Sequence, residues 1–333
     1  APTAAHRRTP PRTALERELL DLWARLLQRP HIGIDDDFFA LGGYSLLAVR
    51  MFNELHQRHG VDLPLATLIA SPTVAALAQA IDAATGGAAT QVAPSWQPLV
   101  RLREGHDLAP LFLMHAVGGN VLNYLPLLDA LEVSQPVFGL QAAGLDGVSM
   151  PSDSIDAMAD VYAAVIRDAH PHGPVLLAGG SMGGVLALET ARRLREGGRE
   201  IALLAMFDTF GPDRLRQRRK LRWSLSLAAL VQVPWRELAR RLRVRLWDVP
   251  IAMRRGRKDP DEALPQQVRL QRVERANHRA LASYHPRRYR GDVELFRTPV
   301  RGKGEDATLG WQDWIDGRIS IHAMAGNHHD FTD

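Results

Sequence analysis

Two rhythms of apolar and polar residues divide the chain. Over residues 14–28, Leu19, Leu20, Trp23, Leu26 and Leu27 recur at helical spacing and predict an amphipathic helix. A second helix is expected from Ser45 to about His59, entered through Gly42 and Gly43. Segments 62–71 and 72–83 read as a short helix and a closing helix, the latter with Pro72 near its start. The expectation is a small four-helix bundle over 14–83, preceded by a Pro-rich basic linker over 1–13. Residues 84–97 are rich in Gly, Ala, Ser and Pro and read as a flexible linker.

From residue 98 to 333 the pattern becomes strand–helix alternation. Strands are expected within 111–120, 137–144, 175–181, 201–208, 292–298 and 318–324, with helices over 154–169 and after residue 181. This predicts a mostly parallel sheet with helices on both faces. Residues 212–285 break the alternation with Arg-rich, mostly helical sequence, the composition of a helical lid over the carboxyl edge of the sheet. Its apolar residues alternate with arginines at helical spacing, so the plain reading is a set of amphipathic helices with solvated faces. A sharper one sets that basic face against Asp35, Asp36 and Asp37 of the bundle.

Composition narrows the classes. With 333 residues, 46% hydrophobic and 23% charged, the chain is ordinary globular material. It has no cysteine, which excludes disulfides and thiolate chemistry and fits a reducing, cytoplasmic location. A net charge of +4 is too mild and dispersed to argue for nucleic acid, and no apolar run approaches the roughly 20 residues that span a bilayer. The sequence starts without Met and reads as a segment of a longer polypeptide. No metal site is expected.

The chemistry centres on Gly179-Gly180-Ser181-Met182-Gly183, a G-x-S-x-G between an apolar strand and a helix. A serine forced into a sharp strand-to-helix turn needs small neighbours, and the helix N-terminus beneath it supplies N–H groups. The competing reading, a phosphate-binding turn, lacks the Lys of a P-loop and the G-x-G-x-x-G spacing. A serine nucleophile needs a base and an acid, which in this fold follow it in the order acid, then His. Asp208 ends the next strand and is favoured as the acid; Asp306, in a later loop, is its rival. His328 and His329 follow the last strand as candidate bases, whereas His322 lies within that strand and His115 precedes the serine. One oxyanion donor should be the N–H of Met182, the other an N–H of the turn His115-Ala116-Val117-Gly118-Gly119.

These features resemble the terminal thioesterase domains of nonribosomal peptide synthetases. HAVGG, GGSMGG, the strand ending at Asp208, the helical lid and the closing GNHHDF carry the resemblance. It implies an α/β-hydrolase domain with Ser181, Asp208 and His328 as the triad, and Val117 with Met182 as the oxyanion donors. Residues 14–83 are similar to a peptidyl carrier protein, through Asp37-Phe38-Phe39-Ala40-Leu41-Gly42-Gly43-Tyr44-Ser45-Leu46. That implies covalent phosphopantetheine on Ser45, with its phosphate at a helix N-terminus. Tyr44 departs from the commoner His or Asp. The implied partners are a peptidyl thioester, a phosphopantetheinyl transferase, and upstream condensation and adenylation domains. The implied activity is release by hydrolysis or macrocyclisation, as in antibiotic biosynthesis. The alternative is a polyketide-type or editing thioesterase with an acyl carrier.

Overall fold

The computed structural model describes residues 9–43, 45–61, 63, 66–85, 97–106, 108–131, 134–212, 266–298 and 306–324. The Arg-rich stretch 213–265, which makes up most of the expected lid, lies outside the described residues, as do His328 and His329.

The first unit has four helices among the described residues: α1 (Ala14–Leu26), α2 (Ser45–His59), α3 (Ala66–Ala70) and α4 (Val74–Thr85). Thr13 and Glu16 start α1 with a reciprocal capping box: the Thr13 hydroxyl accepts the Glu16 N–H (3.1 Å) and the Glu16 carboxylate accepts the Thr13 N–H (3.3 Å). The apolar stripe read from the sequence converges on one core. Leu19, Leu22 and Trp23 of α1 meet Phe38, Met51, Leu55, Leu77 and Ile81, all essentially excluded from water. Trp23 and Phe38 pack edge to face, with centroids 5.0 Å apart.

The second unit is a seven-stranded sheet. Its strands are β1 (Leu99–Arg103), β2 (Leu111–Met114), β3 (Val137–Leu140), β4 (Val175–Gly180), β5 (Ile201–Phe207), β6 (Val293–Arg297) and β7 (Ile319–Ala323). Their spatial order is β1-β3-β2-β4-β5-β6-β7; β1 is antiparallel to β3 and every other pair is parallel. Central strands such as β2 are buried at every residue, as a sheet covered on both faces requires. The covering helices are α5 (Leu125–Ala130), after a 3₁₀ turn at Leu122–Tyr124, then α6 (Ile155–Ala169), α7 (Met182–Glu196) and α8 (Gln266–Ser283). The chain passes from β2 to β3 on one side, then crosses to β4 on the other. The carboxyl ends of β2 and β4 therefore flank a topological switch point, where open α/β sheets place their ligands.

Strand β1 has no counterpart in the sequence reading. Its LVRLR alternates apolar with Arg at an edge and stays only partly buried, too short and too polar to signal a strand. The strand expected over 137–144 stops at Leu140.

α8 ties several parts together. At its carboxyl end the Tyr284 hydroxyl donates to the buried Glu189 of α7 (2.7 Å), whose carboxylate also takes Arg192 and Arg193. At its start, Leu270 packs with Leu122 and Leu125 against the core of the first unit, where α2 lies along α8. An apolar cluster thus joins the two units. Asp36 and Asp37 accept backbone N–H groups of their own loop, from Gly33 (2.8 Å), Phe39 (2.7 Å) and Ala40 (3.0 Å); the basic segment they were expected to face lies outside the described residues.

Candidate active site and attachment site

Ser181 sits at the tip of the turn from β4 into α7 with φ 55° and ψ −117°, a conformation that a residue with a side chain seldom adopts. Such strain costs on the order of 1–3 kcal/mol and persists only where the surroundings enforce it. Here the Ser181 N–H donates to Phe207 O (2.9 Å) and Ser181 O accepts from Gly184 N–H (3.2 Å). The glycines are a steric need. A Cβ on Gly179 would strike the Gly183 backbone, one on Gly183 the Met114 carbonyl, and one on Gly184 the Thr209 side chain.

The hydroxyl of buried Tyr124 fixes the elbow from beneath. It donates to Met114 O (2.7 Å) and accepts the Gly180 N–H (2.8 Å), bridging the carboxyl ends of β2 and β4. Burial raises its pKa well above the usual phenol value, so it remains a donor. No local pattern in LNYLP announces this role, because the partners lie 10 and 56 residues away.

Asp208 follows β5 on the adjacent strand, 2% exposed, with φ 42°. Its N–H donates to Phe296 O (2.7 Å), while its Oδ1 accepts from the Thr298 hydroxyl (3.1 Å) and N–H (3.3 Å). Gly180 and Phe207 are register partners, so Ser181 and Asp208 leave the sheet side by side. The rival Asp306 lies in the loop after β6. Its carboxylate caps a turn, accepting from Thr308 N–H (2.9 Å), the Thr308 hydroxyl (2.7 Å) and Gly310 N–H (2.6 Å).

His322 lies within β7, partly exposed, bonded to Glu294 and stacked on Phe296 (4.6 Å), consistent with a structural role. The chain leaves β7 at Met324, whose N–H donates to Arg297 O (2.8 Å), one residue from Thr298. His328 is four residues further along the sequence.

The turn after β2 carries the other expected donor. His115 is fully buried: its Nδ1 lies 2.7 Å from Ala116 O and its Nε2 lies 2.8 Å from the Tyr162 hydroxyl. Desolvation pushes its pKa down to about 4, so the ring is neutral. Val117 is partly exposed, and its carbonyl accepts from Asn277 Nδ2 of α8 (2.9 Å). Met182, the first residue of α7, presents its N–H at the helix start.

In the first unit, Ser45 opens α2, a helix of 15 residues. The loop before it is shaped by Phe38, whose carbonyl accepts the Gly43 N–H (2.9 Å) and whose ring lies where a Gly43 Cβ would go. Gly42 has φ +93° and open space around it. A helix N-terminus behind two glycines suits a phosphodiester on Ser45 and the approach of a modifying enzyme.

Comparison with known proteins matches both units. Residues 109–333 match the family described as "Thioesterase domain", and residues 17–81 match "Phosphopantetheine attachment site". A dimodular nonribosomal peptide synthase of Bacillus subtilis is 31% identical over 96% of this chain, and malpibaldin synthetase of Mortierella alpina is 40% identical over 59%. The chain spans only 13% and 3% of those proteins. Among solved structures, a four-domain nonribosomal peptide synthetase bound to AMP and glycine superposes with a TM-score of 0.57 at 27% identity, covering 99% of this chain and 26% of that one. Among the described residues no helix is long and apolar enough to cross a membrane. The chain belongs to the thioesterase domain family and carries a phosphopantetheine-attachment domain ahead of it, the carrier–thioesterase arrangement of nonribosomal peptide synthetases.

Proposed function

We propose that this chain releases a finished peptidyl group from the carrier through a covalent ester on Ser181. The observation that carries the reading is the strained Ser181 at the switch point, beside a buried Asp208 on the neighbouring strand. A phosphopantetheine attached to Ser45 would supply the thiol to which the peptidyl group is bound as a thioester. Ser181 Oγ attacks the thioester carbonyl while His328 takes its proton. Asp208 holds the imidazole in its productive tautomer and stabilises its charged form. The Val117 and Met182 N–H groups hold the oxyanion of the tetrahedral intermediate. His328 then returns the proton to the departing sulfur. Water, or an amine or hydroxyl of the peptide itself, attacks the ester and frees an acid or a ring. The similarity to a nonribosomal peptide synthase and to malpibaldin synthetase supports a peptidyl rather than a polyketide substrate. The wider assembly would add a phosphopantetheinyl transferase and upstream condensation and adenylation domains as partners.

Separating the two serines tests the reading. Ser45→Ala abolishes phosphopantetheinylation, read by intact mass, yet leaves hydrolysis of a soluble peptidyl thioester within about two-fold. Ser181→Ala does the reverse. A Ser181→Ala chain that still hydrolyses the soluble thioester at the wild-type rate contradicts the proposal.

A further inference from the structure

We infer that His115 and Asn277 are positioning residues that fix the two peptide planes on either side of Val117 and so aim its N–H at the oxyanion. The inference rests on Val117 being an oxyanion donor, as proposed above.

The first plane is Ala116–Val117. A carbonyl can only accept, so the contact between His115 Nδ1 and Ala116 O (2.7 Å) places the ring proton on Nδ1. The ring is neutral, which leaves Nε2 bare to accept the Tyr162 O–H (2.8 Å). Tyr162 has one proton, and Gln141 O is its longer alternative at 3.3 Å. The tautomer of His115 is thus set by the Ala116 carbonyl, and the Tyr162 hydroxyl of α6 takes the remaining ring nitrogen. The same Ala116 carbonyl accepts the Gly119 N–H (2.9 Å), so two donors hold it. In a trans peptide the N–H points away from the preceding carbonyl, so holding Ala116 O turns the Val117 N–H the opposite way. Among the described residues, none accepts that N–H.

The second plane is Val117–Gly118. Asn277, 1% exposed, donates Nδ2–H to Val117 O at 2.9 Å from α8, 160 residues along the chain. α8 also seals the turn, since Val273 fills the space where a Gly119 Cβ would project at φ +81°. With both planes held, Val117 keeps little freedom to rotate its N–H away from the reacting carbonyl. A preorganised donor of this kind is worth about 10²–10³ in turnover, and misplacement by about 1 Å can cost 10²-fold.

The test compares variants on a peptidyl N-acetylcysteamine thioester. Asn277→Asp keeps size and shape but removes the donor. It is expected to lower kcat about 10- to 100-fold with KM changed less than two-fold, and to weaken a peptidyl trifluoromethyl ketone, which mimics the tetrahedral adduct, by the same factor. His115→Leu behaves alike, and His115→Asn, whose amide restores a donor near the Nδ1 position, recovers part of the loss. Far-ultraviolet circular dichroism confirms folding, and Asn277→Ala serves if Asn277→Asp does not fold. Unchanged kcat in both folded Asn277 variants, or a loss confined to KM, overturns the inference. Replacing the Val117 amide by an ester removes the N–H itself. If that ester is impaired while Asn277→Asp is normal, only the positioning role fails. If the ester is fully active, the Val117 assignment fails and the inference with it.

Discussion

The two candidate serines each stand at the start of a helix behind a pair of glycines, Ser45 as the first residue of α2 and Ser181 as the cap of α7, yet the glycines do opposite work. Before Ser45, Gly42 takes the left-handed conformation in open space and Gly43 rests on the Phe38 ring. There the unusual backbone belongs to a glycine, and the serine begins an ordinary helix. At Ser181 the unusual backbone belongs to the serine itself, and Gly179, Gly183 and Gly184 each leave room for another piece of backbone or for Thr209. A residue that must be reached by a modifying enzyme needs space, whereas a nucleophile that must meet a carbonyl within tenths of an ångström needs confinement. The neighbours of Ser181 supply the confinement from three directions: Phe207 O, Tyr124 and the first turn of α7.

The sharpest break of this comparison is chemical. Ser181→Ala and His328→Ala each lower release by up to about 10⁶-fold, because the triad acts as a unit. Asp208→Asn lowers it by about 10⁴-fold through the wrong imidazole tautomer. His329→Ala retains most activity. None of the four affects phosphopantetheinylation of Ser45. A dead His329→Ala with an active His328→Ala would move the base by one residue.

Acid should expose the confinement next. His115 is held neutral with its pKa down to about 4, against 6.5 for a free imidazole. Between those values the unfolded chain binds the proton and the folded chain does not, so stability is full above about pH 6.5 and is lost as the pH falls. The whole shift corresponds to about 3 kcal/mol. Below about pH 4 this contribution changes no further. Denaturant unfolding of wild type against His115→Asn near pH 5.5 should differ in slope with pH by close to one proton; equal slopes would assign the loss of stability in acid to another group.

Steric variants follow. Gly184→Val drives a side chain into Thr209 and should destabilise the hydrolase unit by about 2–3 kcal/mol while Ser45 loads normally. Gly42→Ala meets nothing but must hold φ +93°, so it costs the carrier about 1–2 kcal/mol and leaves soluble thioester hydrolysis intact. Both are read by differential scanning calorimetry beside activity. The smallest effect is expected of Thr298→Val, which removes one hydroxyl donor from Asp208 and lowers kcat about five-fold, or about 1 kcal/mol.

Sequence legibility divides along the same line. Ser181, Met182 and Asp208 could be placed because a short motif between two periodic elements carries its own geometry, and because a buried strand ends at Asp208. The carrier helices were legible because an amphipathic stripe suffices to predict a bundle. The sequence favoured Asp208 over Asp306 by its place at a strand end; only the fold shows their contacts, Asp208 with Thr298 and Asp306 with Thr308 and Gly310. Tyr124, Tyr162 and Asn277 were illegible for the same reason. Each acts on backbone that is 10 to 160 residues away along the chain, or through His115, 47 residues away, and no periodicity encodes such a meeting. Edge strand β1 was missed because partial burial leaves only a weak alternation.

The most direct test of the account follows the acyl group between the two serines. The chain is loaded on Ser45 from a peptidyl coenzyme A by a phosphopantetheinyl transferase, quenched at short times, and mapped by tandem mass spectrometry. The account predicts that the peptidyl mass leaves the Ser45 peptide and appears as an ester on the Ser181 peptide before free product accumulates, and that in Ser181→Ala it stays on Ser45. Free product formed from Ser181→Ala at the wild-type rate, with no acylated Ser181 in the wild type, would contradict it.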